Sequence, residues 1–161
     1  MFTQYLIIFL VSMVPLIELR GALIIAAGYN AVYPEFSMIW AYIICVIANM
    51  LPVPIIYLFA RKVLEWGSDK PVLGKPFSWI LDRGGKAGKK LEEKAGRGLF
   101  FALLLFVGIP LPGTGAFTGT LGASILGMKF KPTILAAMGG VILAGLIISG
   151  LSLFGFSFVN A

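Results

Sequence analysis

The stretch Val14-Pro15-Leu16-Ile17-Glu18-Leu19-Arg20-Gly21 interrupts an otherwise apolar run over residues 1–33. A second run, 99–127, is interrupted in the same way by Ile109-Pro110-Leu111-Pro112-Gly113-Thr114-Gly115. Each run is long enough to cross a bilayer, yet each has a helix breaker at its centre. Backbone can leave helical form at membrane depth only where protein or a water-filled cavity covers it. Two such breaks in corresponding positions are a sequence pointer to a transport site.

Composition sets the solvent. The 161-residue chain is 59% hydrophobic and only 12% charged, with a mean hydropathy of +0.97. Soluble domains carry about 25% charged residues, so lipid is expected to cover much of this surface. The length suits one membrane domain, 1–161. Residues 36–60 and 132–159 are uncharged blocks of spanning length. The first holds Pro52 and Pro54, which predict a bend near 49–54. Asn49 is a polar residue at depth there and reads first as helix-to-helix glue, second as a site residue. The last block contains Gly139, Gly140, Gly145 and Gly150, whose small size suits close helix packing, internal or between subunits.

Several chemistries are excluded or disfavoured. With one cysteine, Cys45, and no histidine, the chain has neither an internal disulfide nor the commonest metal ligand and general base. It carries no P-loop or dinucleotide fingerprint, so no nucleotide cofactor is expected. The first charge is Glu18, so the apolar start lacks the basic region of a signal peptide and reads as part of the mature chain. One embedded acid without an activated nucleophile makes a poor catalytic set, so an enzyme is not expected.

Charge is concentrated in one place. Ten of the 13 basic residues and five of the seven acids fall between Arg61 and Arg97. Basic loops of this length stay in the cytoplasm, which places 61–98 there. Trp66, Phe77 and Trp79 fit an interfacial belt better than a nucleic-acid surface. Residues 67–76 read as turn, and 84–98, GGKAGKKLEEKAGRG, reads as a short helix on the membrane surface. If all four blocks spanned, Lys129 and Lys131 would fall outside, against the positive-inside tendency. Re-entrant hairpins at 1–33 and 99–127 keep them inside and leave Glu35 and both termini outside. Val14-Pro15-Leu16 and Ile109-Pro110-Leu111 are 95 residues apart, and a spanning block follows each at nearly the same offset. The expected fold is therefore an all-α integral membrane protein: an inverted repeat of re-entrant helical hairpin plus transmembrane helix, joined by a basic cytoplasmic loop.

The tips carry the candidate site. Glu18 and Arg20 are the only charges of the first block, and ionisable residues at such depth are functional candidates. In a regular helix they would point to different sides; in a turn they share a cavity. Two readings stay open. They form a mutually neutralising ion pair, or they divide the work: Arg20 holds an anionic group, whose geometry guanidinium matches, and Glu18 carries a proton. At the second tip, Pro110 and Pro112 stop the incoming helix, while Gly113, Gly115, Gly119 and Gly122 permit turns and close approach. Thr114, Thr118 and Thr120 offer hydroxyls, and the N–H groups that open the returning half-helix can bind an anion. Plain packing explains the same glycines and threonines.

These two motifs, Pro15-Leu-Ile-Glu18-Leu-Arg20-Gly21-Ala22 and Pro110-Leu-Pro112-Gly113-Thr114-Gly115-Ala116-Phe117-Thr118-Gly119, resemble the signatures of the small multidrug export proteins. That family is a distant relative of the DedA, or SNARE-associated (VTT), membrane proteins. Ile24 stands where the family pattern leads one to expect proline. The resemblance implies two hairpins facing each other in a prokaryotic inner membrane, with Glu18 and Arg20 as transport-site charges and Pro110, Pro112, Gly113, Thr114 and Gly115 as the opposing tip. It implies movement of a lipid phosphate, undecaprenyl phosphate or phospholipid, with proton coupling. Export of small amphipathic drugs is the alternative, and a non-transporting scaffold or assembly factor is the third reading. Expected partners are membrane lipids, protons and a second copy of the chain.

Overall fold

The computed structural model describes residues 2–15, 17–69, 75, 78–79, 82–83, 85–86, 98–111 and 114–159, with only the backbone at 61, 64 and 153–159. Among these the secondary structure is all helical. The elements are α1 (Phe2–Ser12), α2 (Glu18–Val32), α3 (Met38–Met50), α4 (Pro52–Ser68), α5 (Gly98–Gly108), α6 (Ala116–Ile125) and α7 (Phe130–Val159). The predicted turn at 67–76 and surface helix at 84–98 lie largely outside the described residues.

Both broken blocks break where the prolines stand. α1 ends at Ser12, α2 starts at Glu18, and Pro15 lies between them. α5 ends at Gly108, α6 starts at Ala116, and Pro110 lies between them. α1 and α5 have 11 residues each, a length of about 16 Å against a hydrocarbon core of about 30 Å. Neither can cross a bilayer alone.

Two longer stretches can. Met38–Ser68, with 31 residues, and Phe130–Ser152, with 23, each reach a mean hydropathy of 2.3 in their most apolar window. The first is α3 and α4 end to end. Leu51 keeps helical dihedrals (φ −59°, ψ −45°) at the junction, and Leu51 N–H donates to the Ile47 carbonyl at 3.1 Å. Pro52 and Pro54 have no N–H to continue that ladder, and the predicted irregularity at 49–54 appears as a bend at Leu51 between α3 and α4. α4 also runs past the apolar block, through Lys62 and Glu65 to Ser68. Lysine and glutamate are good helix formers, so charge ends the apolar pattern without ending the helix.

The helices pack in a crossed arrangement. α1 lies against α2 and α3, and α5 against α6 and α7; between the halves, α2 lies against α7 and α6 against α4. Small residues make these contacts close. Ala22, Ala26, Ala41, Ala116, Ala136 and Ala137 are buried at the interfaces. Gly140 lets α7 close on α5 backbone: a Cβ there would lie 2.6 Å from Val107 Cβ and 2.7 Å from the Leu104 carbonyl oxygen. Polar ties fix the crossings. Tyr57 Oη donates to the Met128 carbonyl at 2.6 Å, Tyr42 Oη to Ile142 at 3.0 Å, and Ser12 Oγ to Cys45 at 2.8 Å. The outer faces remain apolar: Ile39, Ile55, Phe59, Leu146 and Leu151 are all exposed. Water would not tolerate so large a surface of this kind, and lipid would.

Candidate functional site

The two breaks meet. Glu18 is the first residue of α2 and is 6% exposed. Its carboxylate crosses to the other hairpin. There Oε2 accepts from Ala116 N–H and Oε1 from Phe117 N–H, each at 3.2 Å. These are the first two amides of α6, whose own N-cap, Gly115, supplies no side-chain cap. A helix N-terminus leaves such donors unpaired and carries partial positive charge, so an anion is stabilised there. The sequence marked these amides as able to bind an anion, and the group that occupies them is the chain's own Glu18.

Arg20 makes the complementary contact. Its guanidinium reaches the carbonyls at the C-terminal end of α5 and in the bend beyond it. Nη1 donates to Leu111 O at 2.6 Å. Nη2 lies 3.1 Å from Val107 O, 3.3 Å from Ile109 O and 3.0 Å from Thr114 Oγ1. A helix C-terminus leaves carbonyls unpaired and favours a cation. The acid thus sits on the positive end of one half-helix and the base on the negative end of the other. Among the described residues no direct contact within salt-bridge distance joins Glu18 to Arg20; each charge instead meets the end of a half-helix, the two lying near enough to feel each other's charge.

Local backbone makes this reach possible. Glu18 has φ 52°, in the left-handed region that non-glycine residues seldom occupy. Such a residue costs roughly 1–3 kcal/mol and persists only where its surroundings hold it; here two cross-hairpin bonds do so. Leaving helical geometry at Glu18 also lets two side chains only two positions apart serve one site. Gly115 is the receiving surface. A Cβ on it would fall on the Glu18 carboxylate, so only glycine admits the approach. Thr114 locks the bend, with Oγ1 accepting from Arg20 while lying 2.9 Å from Leu111 O and 3.0 Å from Ile109 O, one of which takes its proton.

A cavity of about 390 Å³ lies between the tips. Glu18, Arg20, Thr114 and Thr118 give it polar wall; Ile17, Leu111, Phe117 and Ile148 give it apolar wall. Pro15, Gly21 and Pro110 complete the rim. Of the predicted residues, the structure therefore brings together Pro15, Glu18, Arg20, Gly21, Pro110, Thr114, Gly115 and Thr118. Gly21 stands within α2 rather than in the bend. Pro112 and Gly113 lie outside the described residues. Asn49 is 2% exposed on α3 and does not line this cavity; its Oδ1 has no hydrogen-bond partner among the described residues. Sequence reasoning missed Ile17, Leu111, Phe117 and Ile148 as lining residues. It pointed to the amides that open α6, of which Phe117 supplies one, but no pattern announced these apolar walls, and Ile148 arrives from α7.

A family model described as "Putative small multi-drug export protein" matches residues 18–147. The chain belongs to this family. The match opens at Glu18 and takes in the second tip, so both halves of the clasp fall within the shared region of these small multidrug export proteins. Membership and the two spanning-length apolar helices place the protein in a membrane. No curated protein and no solved structure matches it.

Proposed function

We propose that this small multidrug export family member moves small amphipathic cations through the cavity between its hairpin tips, in exchange for protons carried on Glu18. The observation that carries this reading is a buried carboxylate on the wall of a largely apolar cavity of about 390 Å³, a volume within the range of small-molecule sites. One carboxylate cannot serve the α6 amides, a proton and an organic cation together. Binding of one displaces another, and each displacement loosens the contact that holds the two hairpins. That competition is the coupling device.

The same reading takes the hairpins as re-entrant and the halves as an inverted repeat. In its support, α1 and α5 are too short to span, and the crossed packing of α2 on α7 and α6 on α4 is what a two-fold relation between halves produces. Residues 61–98 are then cytoplasmic and both termini external.

The lipid-phosphate reading has one observation in its favour: Arg20 lines the cavity beside Thr114 and Thr118. Against it, Nη1 and Nη2 already serve three carbonyls and a hydroxyl, and a phosphate would have to compete for them. The scaffold reading calls for dry, packed tips, which a cavity of this size does not favour.

The test is efflux of a fluorescent organic cation by purified protein in liposomes under an imposed pH gradient. Efflux is expected to be lost in Glu18→Gln and retained in Arg20→Lys. Unchanged efflux in Glu18→Gln sinks the proposal. Translocation of a labelled lipid phosphate that depends on Arg20, with no cation efflux, establishes the second reading instead.

A further inference from the structure

We propose that the groove between α5 and α6 holds the hydrocarbon tail of an amphipathic substrate whose charged head occupies the tip cavity. The inference rests on the exporter reading and narrows it to substrates with a head and a single extended tail.

The groove has a volume of about 230 Å³. Leu99, Leu103 and Phe106 of α5 form one wall, and Gly119 and Gly122 of α6 with Leu126 form the other. Thr118 lines both this groove and the tip cavity, so the two spaces adjoin at that residue. Thr118, Gly122 and Leu126 follow at four-residue spacing, which keeps them on one face of a helix. Their span measures about 12 Å along the axis. A ligand extending from the charged cavity past Thr118 therefore meets the apolar wall of the groove next.

The glycines define the path. A Cβ on Gly119 would lie 2.8 Å from Val107 Cγ2 and 3.0 Å from Leu103 Cδ1, so Gly119 lets α6 approach α5 at the groove floor. A Cβ on Gly122 would meet nothing within 4 Å. Gly122 therefore offers a place to add a side chain in the groove without a backbone clash.

The experiment measures competition by alkyltrimethylammonium homologues, butyl to dodecyl, against fluorescent-cation efflux in liposomes of fixed composition. Long chains also partition into lipid, so the readout is the difference between proteins in the same lipid. Each methylene that enters the groove is worth up to about fourfold in affinity, from about 0.8 kcal/mol per buried CH2. Gly122→Leu, which plugs the groove, is expected to weaken the dodecyl homologue at least tenfold relative to the butyl one. Ala102→Phe fills the same groove from α5 and provides the same comparison where Gly122→Leu does not fold. Equal effects on long and short homologues, or none on either, overturn the tail site and leave the exporter reading standing. Failure of every homologue to compete, with the fluorescent cation still exported, overturns the tail site alone; absence of cation efflux by the unmodified protein overturns the exporter reading and the tail site with it.

Discussion

Glu18 and Gly115 touch across 97 residues of chain, with the carboxylate of one lying where the side chain of the other would begin. An alanine methyl at 115 would stand 2.6 Å from the Glu18 carboxyl carbon. Glutamate has the flexibility to yield, but yielding means leaving the Ala116 and Phe117 amides. Gly115→Ala is therefore expected to destabilise by about 1.5–3 kcal/mol, the range for hydrogen bonds to a charged group. Thermal unfolding in detergent should show a lower Tm with helix content retained in the folded state. An unchanged Tm would mean that the Glu18–α6 contact contributes nothing to the fold.

The Arg20 contact makes a different prediction, because it depends on shape as well as charge. A guanidinium spreads its donors in a planar fork, whereas an ammonium is a compact point charge. Arg20→Lys can keep the cation near the end of α5 but cannot span Leu111, Val107 and Thr114 together. We expect Arg20→Lys to cost about 1–2 kcal/mol and Arg20→Ala about 2–3 kcal/mol, since the latter removes every charge-assisted bond. Thr114→Val, which removes one hydroxyl from the same network, should cost about 0.5–1.5 kcal/mol. A double-mutant cycle between positions 20 and 114 tests whether the two act together; strict additivity would show that the Arg20–Thr114 bond carries no energy of its own.

How much of this was legible in the sequence depends on the range of the interaction. Breaks at Pro15 and Pro110 are local consequences of a missing N–H and a locked φ, and both appear where expected. Two spanning-length helices follow from uncharged runs and appear as well. That Glu18 and Arg20 share one site was legible as one of two options. Which partner each takes was not: Ala116 is 98 residues from Glu18, Leu111 is 91 from Arg20, and the partners are backbone groups without a motif. The left-handed conformation of Glu18 was equally hidden, since nothing in Ile17-Glu18-Leu19 demands it and the bonds of its carboxylate run to the opposite hairpin. Charge at Arg61 marked the end of apolar chain, but helix propensity carried α4 on to Ser68.

Topology yields a prediction that no contact within the protein can supply. With Cys45 replaced by alanine, single cysteines introduced at 35 and 129 should label from opposite sides of the membrane, 35 from outside and 129 from the cytoplasm. Cys45 itself is fully buried, so its removal serves to clear the background rather than to silence a reactive site. External labelling at 129 would mean that the 99–127 segment spans, and the re-entrant proposal would fall.

The last helix separates glycines that hold the fold from glycines that do not. At Gly140 an added Cβ would meet the Val107 side chain at 2.6 Å and, at 2.7 Å, the backbone oxygen of Leu104. A backbone oxygen cannot rotate away, so Gly140→Ala must push α5 off α7, and with α5 go the carbonyls that hold Arg20. Overpacking of this kind costs about 1–3 kcal/mol, and transport should fall along with stability. Gly150, exposed on the same helix, has nothing within 4 Å of an added Cβ. Gly150→Ala should be neutral or stabilise by up to about 1 kcal/mol, through helix propensity alone. Thermal unfolding of the two variants side by side checks the pair. If Gly150→Ala proves the more damaging, its face of α7 is covered in the membrane by something other than lipid, and a second copy of the chain becomes the first candidate to look for by crosslinking.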